Sequence, residues 1–169
     1  MTVLYITQKA WRQIDKEVQR LPMKETGGVL MGFSPNDRDH VITFASGPGP
    51  RAVHEAHAVL FDDRYLKRLI RRKSFGGLTY MGDWHSHTVK RLSPSKVDKI
   101  TMYQKTVESI YASASPIMLI AGINKSGQVH ARAFTLEKNS IHEVQKIVLL
   151  NRSTLLQLEQ MLASPYDAQ

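Results

Sequence analysis

The first 45 residues combine one helical and two extended hydrophobic patterns. Apolar residues recur every three or four positions between residues 11 and 21, which predicts a helix that Thr7 caps and Pro22 ends. Residues 27–33 form a continuous apolar run, and residues 40–45 are rich in β-branched and aromatic side chains. Because a short polar turn separates these two runs, we predict a β-hairpin.

The middle of the chain predicts a helix, a strand and a second helix. Asp62 or Asp63 is expected to cap the first helix, and residues 78–87 form the strand that follows it. Ser93 and Pro94 predict the start of the second helix, since serine favours the N-cap and proline the first helical position. That helix carries apolar residues at positions 97, 100, 103 and 107.

The last third predicts a strand pair and a long helix. Residues 116–123 form an apolar central strand, and residues 128–134 alternate as its partner across a turn. Asn139 is expected to cap a final amphipathic helix with inward apolar residues from Ile141 to Leu162. The pattern predicts an α+β fold, an α/β/α-like sandwich with a curved mixed sheet flanked by helices, in one domain of residues 1–169.

Composition narrows the classes of protein. The chain of 169 residues is 42% hydrophobic and 22% charged, which is typical of a soluble globular protein. The longest apolar run, residues 116–123, is too short to cross a bilayer, and the N-terminus lacks a signal-peptide pattern, so a cytoplasmic protein that does not associate with membranes is expected. The absence of cysteine excludes disulfides, cysteine proteases and thiolate metal sites.

The net charge of +8 favours an acidic partner, either nucleic acid or an acidic protein. Much of this charge falls between residues 64 and 73, on one predicted helix. Aromatic residues do not alternate with these basic residues as they do in many nucleic-acid-binding surfaces, so a solvated helix face is the favoured interpretation.

One constellation carries recognisable chemistry. His85 and His87 are two residues apart on a predicted strand, so their imidazoles lie on the same side of it. Asp98 follows eleven residues after His87, on the first turn of a predicted helix. Two imidazoles and one carboxylate suit zinc and leave a fourth position open for water, as a catalytic site requires.

Such a site needs a base for the water and benefits from a hydrogen-bond donor to the oxyanion. Glu25, at the entry of a glycine-containing strand, is the candidate base. Ser95, three residues before Asp98 and on the same helical turn, is the candidate donor. On spacing alone, Glu25 is better explained as an exposed carboxylate after a helix, and Ser95 serves equally well as a helix cap.

The complete set resembles the JAMM motif of the JAB/MPN metalloproteases: Glu25, then His85-Ser86-His87, seven residues, and Ser95-Lys96-Val97-Asp98. The resemblance implies the MPN fold, which is similar to that of cytidine deaminases. It also implies one zinc ion per chain, with His85, His87 and Asp98 as ligands, Glu25 as base and Ser95 as oxyanion donor. The implied activity is that of a zinc-dependent isopeptidase or peptidase cutting after the C-terminal glycine of ubiquitin or a ubiquitin-like protein.

The Gly-Pro-Gly-Pro segment at residues 47–50 and the Gly-Asp-Trp-His strand resemble the bacterial, deubiquitinase-like branch of this family. Members of that branch occur on mobile elements and in anti-phage operons such as CBASS. Their expected partners are a conjugated C-terminal tail, transfer enzymes of the E1 or E2 type and a cyclic-oligonucleotide synthase. One departure is Thr88, where many members have proline. The absence of proline predicts a looser loop over residues 88–92.

Other residues and other functions compete with this assignment. His54 and His57 lie too close together for a zincin helix, so they are expected at the surface or in a groove, and Trp84 is expected to face away from the ligands as a packing residue. A catalytically silent scaffold of the same fold is one rival function. A metal-dependent nucleic-acid-binding protein, suggested by the charge, is the other.

Overall fold

The computed structural model describes residues 2–36, 38–111 and 113–163, with the backbone alone for residues 161–163. Its helices and strands in chain order are β1 Val3–Thr7, α1 Gln8–Arg20, β2 Gly27–Phe33, β3 His40–Ala45, β4 Val53–His54, β5 Val59–Leu60, α2 Asp63–Phe75, β6 Thr79–Ser86, α3 Lys96–Val107, β7 Ile117–Ile123, β8 Val129–Glu137, β9 Ser140–Glu143, β10 Lys146–Leu150 and α4 Arg152–Ala163. None of the helices formed by these residues has both the length and the apolar character needed to cross a bilayer.

A mixed sheet organises the fold. Its strand order is β10-β1-β3-β2-β6-β7-β8-β9, and β4 pairs with β5 in a separate small hairpin. Strand β1 is parallel to both β10 and β3, and β6 is parallel to β7, whereas the remaining pairs in the sheet are antiparallel. Strand β6 therefore lies in the middle of the sheet, between β2 and β7.

Helices cover both faces of this sheet. Helix α1 packs its buried Ile14 and Val18 onto one face, in a cluster that includes Leu30 and Leu119. The neighbouring residue Val29 points the other way and packs against helix α2, while Met102 of α3 packs on β7 and β8. Since side chains alternate along a strand, α1 lies on one face and α2 and α3 on the other. The predicted α+β sandwich is confirmed.

Several predicted boundaries agree with the structure. Thr7 caps α1 by accepting a hydrogen bond from the Ala10 amide, and Asp62 caps α2 by accepting one from the Tyr65 amide. The hairpin of β2 and β3 is antiparallel as predicted. The predicted Ser93 cap is wrong, because Ser95 is the N-cap and α3 begins at Lys96.

The predicted long final helix is also wrong. Lys138 and Asn139 both have positive φ, at 46° and 65°, so they form a tight hairpin turn between β8 and β9 where Asn139 was expected to cap a helix. Residues 146–150 then form β10, parallel to β1, and only the following residues are helical. The side chain of Leu162 lies outside the described residues.

Candidate metal centre

Strand β6 and the residue directly after it carry the two histidines of the motif. Trp84 points to the α1 face, where its ring is completely buried and its Nε1 donates a hydrogen bond to the carbonyl of Ser46 at 2.9 Å. This confirms that Trp84 is a packing residue. Asp83 and His85 therefore point to the opposite face, toward a cleft between α3 and the β4–β5 hairpin.

The imidazoles of His85 and His87 converge on one point. Their Nε2 atoms are 3.0 Å apart, and the two side chains are only 12% and 10% exposed. His87 lies one residue beyond the end of β6, where its amide still donates to the carbonyl of Ala121 on β7 at 2.8 Å. Its Nδ1 donates to the carbonyl of Arg91 at 3.2 Å, which leaves the Nε2 lone pair available as a metal ligand.

Asp98 completes the group from the first turn of α3. Its Oδ1 is 3.4 Å from Nε2 of His85 and its Oδ2 is 3.7 Å from Nε2 of His87. Burial opposes ionisation of Asp98, but the neighbouring imidazoles of His85 and His87 outweigh burial and hold the pKa of its carboxyl well below the usual range. The neighbouring Asp98 carboxylate in turn raises the pKa of the His87 imidazole.

The closest approaches among these side chains are near those expected in a zinc site. Ligand atoms about 2.0–2.1 Å from zinc in a tetrahedral arrangement lie about 3.3 Å from one another. The two Nε2 atoms are 3.0 Å apart, and they lie 3.4 and 3.7 Å from different oxygens of the Asp98 carboxylate, while one ligand atom from each residue can be chosen with all three within 4.8 Å of one another. The three residues thus form a group able to hold a metal ion, on the wall of an open cleft.

A capping box fixes the position of Asp98. Its Oδ2 accepts a hydrogen bond from the Ser95 amide at 2.7 Å, and the Ser95 hydroxyl oxygen accepts one from the Asp98 amide at 3.1 Å. The alternative role of Ser95 as a helix cap is therefore real. The cap uses the Ser95 oxygen as acceptor, so its hydroxyl hydrogen is still available to donate into the cleft that Ser95 lines.

Glu25 lies in the same cleft as the three metal-binding candidates. It is 8% exposed, so the alternative of an exposed carboxylate after a helix is wrong. Burial raises the pKa of the Glu25 carboxyl, against the opposing influence of His87 and His85. A raised pKa suits a carboxylate that must accept a proton and later release it.

The cleft continues beyond the histidines into a charged inner end. Its volume is about 700 Å³. Asp83 accepts a hydrogen bond from the Tyr80 hydroxyl at 2.8 Å and lies 3.7 Å from Nζ of Lys105, which stacks over the ring of Tyr111. Burial raises the pKa of the Asp83 carboxyl, even though Lys105 and the Tyr80 hydroxyl favour its ionised form. The sequence pattern did not indicate this network, because its members are spread over β6, α3 and the turn after α3.

Sequence reasoning also missed residues that hold the site together. Ser86, between the two histidines, accepts a hydrogen bond from the Thr26 amide through its Oγ at 3.0 Å, and its own amide donates to the Thr26 carbonyl at 2.7 Å. These two bonds tie the metal-bearing strand to the segment that carries Glu25. A polar residue at an inward-facing strand position was the available signal.

His54 and His57, which were expected at the surface or in a groove, are half-buried and exposed, respectively. His57 lines the cleft, whereas His54 bonds through its Nδ1 to the backbone carbonyl of Glu25 at 2.9 Å. The structure therefore places His54 next to the candidate base through a backbone contact.

Comparison with known proteins agrees with this geometry. The chain matches the family model described as prokaryotic homologues of the JAB domain over residues 7–137. A protein of Enterobacter hormaechei subsp. hoffmannii (strain UCI 50), named CD-NTase/cGAS isopeptidase, is 28% identical over 126 residues, which are 73% of this chain and 69% of that protein. The solution structure of protein DSY2949 from Desulfitobacterium hafniense has the same fold, with a TM-score of 0.67 and 17% identity over 88% of this chain and 94% of its own.

The family model spans the sheet from the end of β1 to β8, including the residues that line the cleft at His85, His87 and Asp98. A match of that length, together with the shared motif, identifies the family. This chain belongs to the prokaryotic homologues of the JAB domain.

Proposed function

We propose that this protein is a zinc-dependent isopeptidase or peptidase that cuts after the C-terminal glycine or tail of a ubiquitin-like protein or of a conjugated bacterial protein. One observation carries the proposal: Nε2 of His85, Nε2 of His87 and the Asp98 carboxylate converge on a cleft that Glu25 and Ser95 also line. Membership of the JAB family supports it.

Each residue has a distinct part in the proposed reaction. His85, His87 and Asp98 would hold zinc, which when bound lowers the pKa of water to about 7 and polarises a carbonyl. Glu25 takes the proton from the attacking water and passes it to the leaving amine nitrogen as the amide C–N bond breaks. Ser95 donates its hydroxyl hydrogen to the developing oxyanion. The products are a carboxylate and a free amine.

The relative from Enterobacter suggests the substrate class. That protein is named a CD-NTase/cGAS isopeptidase. By extension we propose that this chain removes a conjugate from a cyclic-oligonucleotide synthase in an anti-phage operon of the CBASS type, alongside transfer enzymes of the E1 or E2 type.

The test uses purified protein loaded with ZnCl₂ and two linkages of one ubiquitin-like domain ending in glycine: a linear fusion to a reporter and an isopeptide to a lysine of the synthase. Wild type is expected to cleave at least one linkage, to lose activity with a chelator and to regain it with zinc. Glu25→Gln should lower turnover by about 100-fold or more while zinc stays bound. His85→Ala should lose both zinc binding and turnover. The control variant Glu159→Gln, at an exposed position on α4, should match wild type in both.

Other outcomes identify the rival functions. Stoichiometric zinc without cleavage of either linkage would support a scaffold of the JAB fold. Zinc-dependent nicking of a DNA duplex would support the nucleic-acid function. Normal turnover by Glu25→Gln would remove Glu25 as the base.

A further inference from the structure

A short hairpin forms one wall of the cleft. Residues 53–60, called the strap below, contain β4 and β5, and the cleft is lined by residues 57–60 and by the adjoining Phe61. Helix α3 forms the opposite wall through Val97, Asp98 and Thr101. A substrate segment in this cleft would therefore lie between the strap and α3.

The strap holds both backbone polar groups of Glu25. The Glu25 amide donates to the Glu55 carbonyl at 2.8 Å, and Nδ1 of His54 donates to the Glu25 carbonyl at 2.9 Å. The strap itself is closed by the Glu55 amide, which donates to the Ala58 carbonyl at 2.9 Å. The position of the Glu25 backbone therefore depends on the position of the strap.

A second contact ties the strap to the end of the metal-bearing strand. Thr88, directly after His87, donates its hydroxyl to the Ala56 carbonyl at 2.7 Å and lies 3.3 Å from Nδ1 of His57. The strap is thus bonded on one side to Glu25 and on the other to the residue following a candidate metal ligand. The expectation that Thr88 only loosens its loop misses this hydroxyl contact.

We propose that Thr88 and His54 are positioning residues, which hold the strap so that the Glu25 carboxylate stays next to the metal-binding group and the cleft keeps its width. This inference rests on the proposed function for its catalytic consequence. The geometric part for Thr88, that its side chain holds the strap, can be tested without any substrate.

The substrate-free test measures amide hydrogen exchange at Glu25 and Glu55, whose amides donate within the strap contacts. Thr88→Val removes the hydroxyl and keeps the side-chain shape, and it should speed exchange at both amides about threefold to tenfold, as expected for the loss of one hydrogen bond. Thr88→Ser keeps the hydroxyl and should match wild type. Zinc affinity, titrated with ZnCl₂, should stay within about twofold of wild type in both variants.

The catalytic test compares His54→Leu with His54→Asn, whose amide nitrogen can replace Nδ1. His54→Leu should lower kcat about tenfold or more with little change in KM, because the base is misplaced while the cleft wall remains. Thr88→Val should lower kcat and also raise KM, because the wall moves too. His54→Asn and Thr88→Ser should restore the wild-type values.

The exchange test and the catalytic test can each contradict a different part of the proposal. Unchanged exchange at Glu25 and Glu55 in folded Thr88→Val would overturn the role of the strap contact, whatever the activity. Faster exchange with no change in kcat or KM would overturn the positioning role. If wild type cleaves neither linkage, the proposed function fails, and the exchange result still decides whether Thr88 holds the strap.

Discussion

Replacing Gly28 by alanine is expected to destabilise the protein by about 2–6 kcal/mol. A Cβ at Gly28 would lie 2.1 Å from the Ser46 carbonyl oxygen and 2.8 Å from the Ser46 Oγ. Both are ordered, since the Ser46 carbonyl accepts from Trp84 and the Ser46 Oγ accepts from the Val29 amide. Crowding a packed interior costs about 1–3 kcal/mol. Stretching a buried hydrogen bond until its donor is unsatisfied adds about 1–3 kcal/mol.

The assay is urea or thermal unfolding, with Gly47→Ala as the matched control. A Cβ at Gly47 meets nothing closer than 3.9 Å, so this neighbouring variant should differ from wild type by less than about 1 kcal/mol. At about 2–4 °C per kcal/mol for a chain of this length, Gly28→Ala should lower Tm by about 4–24 °C. Equal midpoints for Gly28→Ala and wild type would refute the close packing of Ser46 on β2. Equal losses in the two glycine variants would refute its dependence on position.

Three further predictions concern stability and the site. Burial lowers the pKa of His40 below 6.5, so as pH falls the unfolded chain binds a proton at His40 before the folded protein does. The free energy of unfolding should therefore decrease below pH 6.5. His40→Asn should reduce this decrease, measured as the difference between the urea midpoints at pH 7.5 and pH 5.5. Lys105→Met should lower the free energy of unfolding by about 2–4 kcal/mol, because it leaves Asp83 without its counter-charge. The double variant Lys105→Met with Asp83→Asn should recover part of this loss of stability. Losses that simply add in the double variant would contradict the coupling of the two residues. Ser95→Ala should lower the free energy of unfolding by about 1 kcal/mol and Ser95→Gly by about a few tenths of a kcal/mol, because glycine is tolerated at an N-cap. Both variants should lower kcat about 100-fold, since both remove the hydroxyl that donates to the oxyanion. A loss of activity in Ser95→Ala alone would contradict the oxyanion role.

The motif made the candidate site predictable, because its chemistry depends on local spacing. His85 and His87 are two residues apart on extended backbone, which places both imidazoles on one side. The sequence predicted Asp98 on the first turn of a helix capped by Ser93, and Asp98 lies on the first turn of α3, although Ser95 is the cap. The burial of Glu25 was not predictable from spacing, since it depends on the strap contacts made by residues 54 and 55. Resemblance to a family supplied what local pattern could not.

Helices and strands were predictable where their apolar residues recur at a spacing typical of only one of the two structures. They were not predictable where the spacing suits both. Residues 141–148 carry apolar side chains that suit a helix, yet their β-branched residues suit a strand as well, and β10 forms because β1 offers it a parallel edge. Strand β1 was missed because its run of five residues is short. Helix α3 was predicted as a helix, but its apolar residues are mostly not buried. Val97 and Val107 are 70% and 82% exposed, and only Met102 among its described side chains is buried.

The shared carboxylate of Asp98 has a thermodynamic consequence. The same oxygen that accepts from the Ser95 amide lies 3.7 Å from His87, so starting α3 and assembling the metal-binding group are one event. The affinity that a zinc titration of this group would measure therefore contains the free energy of ordering that turn. A change that unwinds residues 95–98 would lower the affinity for an ion. A bound ion would in turn stabilise that turn, so it would be the last part of α3 to unfold.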